Sequence, residues 1–176
     1  RLQSPNDLVQ AADGSIYFTD PTNGLTGGLN SIYKELDFTA IFRLAPDDKV
    51  TVFDKTLVNP NGIGLSPDGR TLYVADIGAG RTYAYDIGED GILVNKRLFC
   101  EMGSDGMTVD DEGNVYLTGK GVTAFNRDGE QVAHIAIPEP WTANVCFGGP
   151  DRRTLFITAG ERVYTLAMRT RGVGSQ

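Results

Sequence analysis

The chain has 176 residues, of which 40% are hydrophobic and 22% charged, with a formal net charge of −7. This composition is typical of one globular domain, and the acidic balance without a basic patch argues against a nucleic-acid-binding protein. No apolar run reaches the roughly 18 residues that a membrane-spanning helix needs. The two cysteines, Cys100 and Cys146, are too few for a disulfide framework, and both are predicted to be inert core thiols.

Four segments share one pattern: a polar residue precedes a short apolar strand, a tight turn follows, and a second strand is centred on an aromatic residue. The turns carry Asp-Gly or a similar pair, and Asp-Gly favours hairpins because glycine tolerates positive φ. The aromatic residues are 56, 43 and 40 positions apart. The four segments cover residues 4–20, 59–76, 103–119 and 142–159, and their aromatic residues are Tyr17, Tyr73, Tyr116 and Phe156.

Further alternating runs predict the remaining strands of each repeat. In chain order, these strands are predicted over residues 40–44, 49–53, 82–86, 97–100, 121–125, 131–137 and 162–168. A repeat of about 40 residues with four strands is typical of a β-propeller blade. The sequence therefore predicts an all-β chain, with residues 1–176 forming a single partial propeller domain. The stretch from Pro21 to Thr39 is predicted to be an inserted loop, a length that usually marks a functional or disordered segment.

The polar residue that opens each repeat recurs at an equivalent position. In a propeller, the innermost strands line a central channel, so equivalent positions of successive blades form a ring. Asparagine and aspartate oxygens are ligands that Ca²⁺ accepts, and the ring therefore predicts a cation site. Asparagine and aspartate also cap turns by bonding their own backbone, and this alternative stays open. The four polar residues are Asn6, Asn61, Asp105 and Asn144.

Other catalytic arrangements are disfavoured by the sequence. His134 is the only histidine and lies in an alternating strand pattern, which argues against a Ser-His-Asp hydrolase. The glycine pairs at residues 27–28 and 148–149 lack the strand–loop–helix context of a phosphate-binding loop.

Five motifs resemble those of the SMP-30/gluconolactonase/LRE family, and the loop between residues 24 and 38 resembles the longer loop of bacterial gluconolactonases. The resemblance implies a six-bladed β-propeller of four-stranded blades. It also implies that about four C-terminal blades are present here and that the chain is N-terminally incomplete. The motifs are Ser4-Pro-Asn-Asp7, Asp13-Gly-Ser-Ile-Tyr-Phe-Thr-Asp-Pro21, Asn59-Pro-Asn-Gly62, Ser104-Asp-Gly-Met107 and Phe147-Gly-Gly-Pro-Asp151.

The same resemblance implies one catalytic divalent ion in the channel. Ca²⁺ is expected, with Zn²⁺, Mn²⁺ or Mg²⁺ as other possibilities, and its ligands would be Asn6, Asn61 and Asp105. A glutamate from the first blade of the family has no counterpart in this sequence. Asp105 is also expected to be catalytic, as a general base or as a nucleophile. Substrate contacts are expected from Asn144 in the channel and from Asn23 and Glu35 in the long loop.

The expected activity is metal-dependent hydrolysis of sugar-acid lactones such as glucono-1,5-lactone, in which the ion activates the ester carbonyl and water attacks it. The fragment alone is expected to be inactive. A phosphotriesterase-like hydrolase on the same scaffold and a non-catalytic propeller binding module are the alternatives. The expected partner is a small-molecule lactone, with no nucleic acid and no membrane, and self-association or pairing with a missing N-terminal segment is possible. A soluble protein of the cytoplasm or the periplasm is expected, and the sequence does not choose between the two.

Overall fold

The computed structural model describes residues 1–173, which form fifteen strands in four antiparallel sheets. Within each sheet, strands that follow one another along the chain lie next to one another. The first sheet contains β1 (Leu8–Gln10), β2 (Ile16–Asp20), β3 (Ala40–Leu44) and β4 (Val50–Asp54). The second contains β5 (Pro60–Leu65), β6 (Thr71–Asp76), β7 (Arg81–Ile87) and β8 (Leu93–Cys100). The third contains β9 (Met107–Val109), β10 (Val115–Gly119), β11 (Gly121–Phe125) and β12 (Gln131–Ile135), and the fourth contains β13 (Thr142–Gly148), β14 (Thr154–Ala159) and β15 (Arg162–Ala167).

These sheets confirm the predicted blades. The bounds of β3 and β11 agree with the sequence pattern, while β8 begins four residues earlier than predicted. The first three sheets have the predicted four strands each, and the fourth has three strands within residues 1–173. Residues 21–39 contain no strand, only turns and a short 3-10 segment (Gly28–Asn30), as expected of an inserted loop.

The predicted hairpin turns also recur in the structure. The residue after the acidic turn residue has a left-handed backbone in each blade, with φ values of 86° at Gly14, 67° at Gly69 and 85° at Gly113. Arg152 takes the equivalent position in the fourth blade with φ 55°. Because a left-handed conformation costs a residue with a Cβ atom more than glycine, the Arg152 turn is the least favourable of the four.

The hydrophobic core lies between neighbouring sheets, in three clusters. Each aromatic residue of the first three repeats packs against the sheet that follows: Tyr17 contributes to the first cluster, Tyr73 to the second and Tyr116 to the third. In the second cluster, the rings of Tyr73 and Phe99 lie 4.9 Å apart. The repeat of aromatic residues is thus the element by which one blade packs on the next.

The first strands of the four sheets lie side by side around a common cleft. Strand β5 contacts β1 and β9, and β9 contacts β13. The cleft has a volume of about 440 Å³ and is lined by residues of all four strands, including Leu8, Ile63, Met107 and Val145. This is the propeller arrangement, with the first strands innermost. Within residues 1–173, no helix has the length and hydropathy needed to cross a lipid bilayer.

Candidate cation site at the channel mouth

Asn61 and Asp105 meet at one end of the innermost strands, although they are 44 residues apart in sequence. Asn61 Nδ2 donates a hydrogen bond of 3.0 Å to Asp105 Oδ1. Asn61 is only 2% exposed, and its side-chain oxygen Oδ1 has no hydrogen-bond partner among residues 1–173. Buried polar atoms are nearly always paired, so an orphaned amide oxygen beside a carboxylate marks a place where a ligand fits.

The backbone around Asn61 is fixed from two blades. Asp76, at the end of β6, is almost fully buried and accepts hydrogen bonds of 2.8 Å from the amides of Val58 and Asn59, just before β5. From the first blade, Thr19 Oγ1 donates a hydrogen bond of 2.8 Å to the carbonyl oxygen of Asn61. These charge-assisted and buried bonds hold the segment that carries the Asn61 side chain.

Asp105 is placed by a compact hydroxyl network in the third blade. The buried hydroxyl of Ser104 accepts a hydrogen bond of 2.7 Å from the Thr118 amide and donates one of 2.6 Å to the Gly106 carbonyl. The neighbouring blade also approaches closely at this point, since a Cβ atom added to Gly62 would lie 2.9 Å from the carbonyl oxygen of Asp105. The glycine after Asn61 therefore lets the two blades bring Asn61 and Asp105 together.

A second carboxylate, Asp7, lies within electrostatic range of Asp105. Burial raises the pKa of Asp7, against the lowering effect of hydrogen bonds from the amides of Ile63 and Leu8, and the charge of Asp105 raises the Asp7 pKa further. The Ile63 amide lies 3.2 Å from Asp7 Oδ2. Two partly desolvated carboxylates at one channel mouth form an electronegative site that suits a cation.

Asn6 and Asn61 both contact Thr19 through their backbones. The Asn6 amide donates a hydrogen bond of 3.0 Å to the Thr19 carbonyl, while Thr19 Oγ1 binds the Asn61 carbonyl. The Asn6 side chain is exposed, and its link to Asn61 runs through Thr19. The structure therefore joins Asn61 and Asp105 through their side chains, whereas the backbone of Asn6 is connected to that of Asn61 by hydrogen bonds through Thr19.

Asn144 lines the same cleft from β13. Its Oδ1 accepts a hydrogen bond of 2.8 Å from the backbone amide of the next residue, Val145. The Asn144 side chain also packs on Gly106, where a Cβ atom would overlap Asn144 Oδ1. Asn144 thus lies beside the residue that follows Asp105.

The two loop residues expected to contact substrate are separated. Asn23 Oδ1 accepts a hydrogen bond of 2.6 Å from Asn59 Nδ2, so the start of the long loop touches the segment that carries Asn61. The Glu35 carboxylate lies 3.9 Å from Arg1 Nε with 58% of its side chain exposed. Glu35 therefore contacts the first residue of the chain, whereas Asn23 contacts the segment next to the channel mouth.

Sequence reasoning missed Trp141, whose indole Nε1 donates a hydrogen bond of 3.2 Å to Asp105 Oδ2.

The prediction for the cysteines was right for Cys100, which is buried, and wrong for Cys146, which is exposed. Cys146 faces the cleft because β13 is an innermost strand with one side on the channel. The sequence analysis also did not single out Asp76, although the repeat carried a signal for it. Asp20 ends the equivalent strand of the first blade and accepts a hydrogen bond of 2.6 Å from the Ser4 amide.

The residues present fit a hard cation. Within residues 1–173, no group of three or more His, Cys, Asp or Glu side chains is arranged to hold a metal ion. A cation here would therefore depend on amide oxygens together with carboxylate oxygens, a mixed set that Ca²⁺ accepts. Asn61 and Asp105 offer one amide oxygen and one carboxylate, although Asn61 turns its Nδ2 rather than its unpaired Oδ1 towards Asp105 in this structure.

Known proteins are similar to this chain in sequence and in fold. The chain is 34% identical to a gluconolactonase of Zymomonas mobilis over 98% of its own length and 52% of that protein. The solved structure of a Xanthomonas campestris gluconolactonase superposes with a TM-score of 0.82 at 35% identity, over 95% of this chain and 58% of that one. The X-ray structure of a predicted gluconolactonase reaches a TM-score of 0.90 at 33% identity, over 99% of this chain and 61% of that one.

The chain thus spans about half the length of the curated relatives it matches. The family described as the SMP-30/gluconolactonase/LRE-like region matches residues 1–161. With its propeller arrangement of blades and this match over most of its length, the chain belongs to the SMP-30/gluconolactonase/LRE-like family.

Proposed function

We propose that the complete protein is a lactone hydrolase that opens sugar-acid lactones with the help of a divalent cation, Ca²⁺ in the first place. The proposed ligands are Asn6, Asn61 and Asp105. The observation that carries the proposal is the buried, unpaired Oδ1 of Asn61 next to the Asp105 carboxylate. Lactonase relatives, including the gluconolactonase of Zymomonas mobilis and the pentonolactonase of Haloferax volcanii, support the reaction class.

The proposed chemistry divides between the cation and the side chains of the channel mouth. When bound, the cation would polarise the ester carbonyl and stabilise the negative charge that develops on its oxygen. Asp105 is the proposed general base, because its carboxylate is partly exposed at the channel mouth and able to take a proton from water. Asn144 and Asn23 are proposed to bind substrate hydroxyls at the channel mouth, and Glu35 to contact substrate from the outer part of the loop.

We further propose that the complete protein is a closed propeller of six blades, of which this chain forms four. The length relation supports this, since the chain matches 58–61% of the two gluconolactonase structures while covering nearly all of itself. In this proposal, an acidic ligand from another blade completes the cation site, and the remaining blades are the partner against which this chain packs. A channel open on one side would leave Asn6 exposed to water, as the structure has it.

The test is the Asp105→Asn variant of the complete protein, assayed for proton release from glucono-1,5-lactone and for Ca²⁺ binding by calorimetry. We expect turnover to fall at least about 100-fold, as is usual when a general base is removed, together with a loss of Ca²⁺ affinity. Asp128→Asn is the matched control, because it removes one carboxylate from an exposed turn of the same blade. Unchanged turnover and Ca²⁺ affinity in Asp105→Asn would refute the proposal.

Adding a phosphotriester substrate to these assays separates the alternative functions. A wild-type protein that hydrolyses phosphotriesters but not lactones would indicate the phosphotriesterase-like reading of the site. A protein that binds no cation and turns over neither substrate would indicate a non-catalytic propeller.

A further inference from the structure

Trp141 is the only tryptophan in the sequence, and its position is not explained by core packing. Its side chain belongs to none of the three hydrophobic clusters between the blades and is 45% exposed. Tryptophan carries a large apolar ring and one N–H donor, and a ring left half in water beside a polar site is typical of ligand-contacting surfaces. The N–H group of Trp141 donates to Asp105 Oδ2 at 3.2 Å, across the boundary between two blades.

The segment that carries Trp141 is held from the fourth blade. Two residues earlier, Glu139 Oε1 accepts hydrogen bonds of 2.6 Å from Arg162 Nη1 and 3.0 Å from the Tyr164 hydroxyl, both on β15. The residue after it, Thr142, is fully buried at the start of β13. The indole is thus presented to Asp105 by a supported backbone on either side, rather than by a free loop.

The two oxygens of Asp105 consequently have different partners. Asp105 Oδ2 accepts a hydrogen bond from the indole N–H, and Asp105 Oδ1 accepts one from the side-chain Nδ2 of Asn61. The side-chain oxygen of Asn61 is unpaired among residues 1–173. With its side-chain amide turned by half a rotation, Asn61 would present its oxygen on the side of Asp105, and the two residues together could hold a cation. The indole would keep its bond to Oδ2 and hold the plane of the carboxylate.

We propose that Trp141 is a positioning and specificity-determining residue of the proposed lactonase. Its indole N–H binds Asp105 Oδ2 and so orients the carboxylate that would hold the cation, and its exposed ring is the surface on which the C–H face of the lactone ring lies. The inference rests on the proposed function and adds a residue that belongs to no repeat position. A sugar ring presents an apolar C–H face that packs on an aromatic ring, which suits a half-exposed indole next to the reacting group.

The experiment compares Trp141→Phe, Trp141→Ala and wild type in the complete protein. Phenylalanine keeps a ring but lacks the N–H, so we expect Ca²⁺ affinity and kcat to fall about tenfold, as for a lost hydrogen bond to a charged group, with KM nearly unchanged. Alanine also lacks the ring, so we expect KM for glucono-1,5-lactone to rise several-fold in addition. Tyr33→Phe is the matched control, because it removes one polar hydrogen from an exposed aromatic residue of the long loop.

A second readout does not depend on turnover. Adding Ca²⁺ should change the indole fluorescence of wild type. The Trp141→Phe variant measures the signal of any tryptophan that the remaining blades contribute. The change should be absent in Asp105→Asn. Equal Ca²⁺ affinity, kcat and KM in Trp141→Phe, Trp141→Ala and wild type would overturn this inference alone. A wild-type protein that neither binds Ca²⁺ nor hydrolyses the lactone would overturn the proposed function and this inference with it.

Discussion

Asn61 Nδ2 lies 3.0 Å from Asp105 Oδ1, and this hydrogen bond connects the innermost strand of one blade to the loop that opens the next. The contact is possible because Gly62 leaves room for the Asp105 backbone. It brings the two repeat positions into direct contact and leaves one amide oxygen buried without a partner. The consequences can be measured in stability as well as in cation binding.

Replacing Asn61 with aspartate should make stability depend on Ca²⁺. Asn61→Asp places a second carboxylate about 3 Å from Asp105, and like charges at that distance repel when no cation lies between them. We expect a loss of about 1–3 kcal/mol in the free energy of unfolding at pH 7 without divalent ions, largely recovered on adding Ca²⁺. Urea denaturation with and without Ca²⁺ measures both values.

Asn114→Asp is the control for this variant, because Asn114 Nδ2 also lies 2.9 Å from an aspartate, Asp110, away from the channel mouth. It should be destabilised to a similar extent and gain nothing from Ca²⁺. An Asn61→Asp protein as stable as wild type without any cation would show that the two side chains do not converge.

Removing the Asp76 carboxylate should destabilise the second blade. Asp76 is 1% exposed and accepts hydrogen bonds from the amides of Val58, Asn59 and Ala79 at 2.8, 2.8 and 3.2 Å. Asp76→Ala leaves these amides without a charged acceptor, and we expect a cost of about 2–4 kcal/mol. Chemical denaturation checks this, with Asp68→Ala in an exposed turn expected to cost less than about 1 kcal/mol. Equal costs for the two variants would contradict a structural role of Asp76.

Two glycines of β5 should respond differently to alanine. A Cβ atom at Gly62 would lie 2.9 Å from the Asp105 carbonyl oxygen, whereas one at Gly64 would lie 3.3 Å from the flexible Met107 Sδ atom. Because backbone moves less easily than a methionine side chain, we expect Gly62→Ala to cost about 1–3 kcal/mol and to weaken Ca²⁺ binding. Gly64→Ala should cost less and leave Ca²⁺ affinity intact. Thermal denaturation and calorimetry together test the difference, and the reverse order would disprove the close approach at Gly62.

The Asp54 carboxylate should stabilise the fold above about pH 4 and lose this effect in acid. Burial alone would raise the pKa of Asp54, but hydrogen bonds from Lys96, Thr56 and Tyr85 outweigh it and lower the pKa to about 2. Lys96 Nζ and the Tyr85 hydroxyl each lie 2.7 Å from Asp54 Oδ2. A carboxyl whose folded pKa lies below its unfolded value contributes stability above the unfolded pKa, and this contribution disappears as pH falls towards 2.

The measurement compares wild type with Asp54→Asn by urea denaturation at pH 6 and at pH 2.5. We expect wild type to be more stable by about 1–2 kcal/mol at pH 6 and the difference to shrink at pH 2.5. Asp47→Asn, in an exposed turn, is the control for removing one carboxylate charge. A constant gap between wild type and Asp54→Asn across this range would contradict the lowered pKa.

Much of the fold was predictable because its signals are local. Alternating apolar residues set β3 and β11 to the residue, and the turns at Gly14, Gly69 and Gly113 follow from the freedom of glycine at positive φ. The fourth turn has Arg152 where the other three have glycine, and its place in the repeat indicated it. Of the candidate site, the repeat predicted that Asn61 and Asp105 lie at equivalent channel positions, and the structure brings them into contact.

The sequence by itself determined the strands, the order of the blades and the ring of polar residues, since these depend on neighbours along the chain and on a repeat visible in the letters. Only the tertiary structure decided that Trp141 reaches Asp105, that Asp7 lies near the same carboxylate, and that Cys146 faces the cleft. The physical reason is that these relationships join different blades. They depend on how far one sheet is rotated and shifted against the next, which is set by the packing of cores such as that around Tyr73 and Phe99 and not by any local pattern.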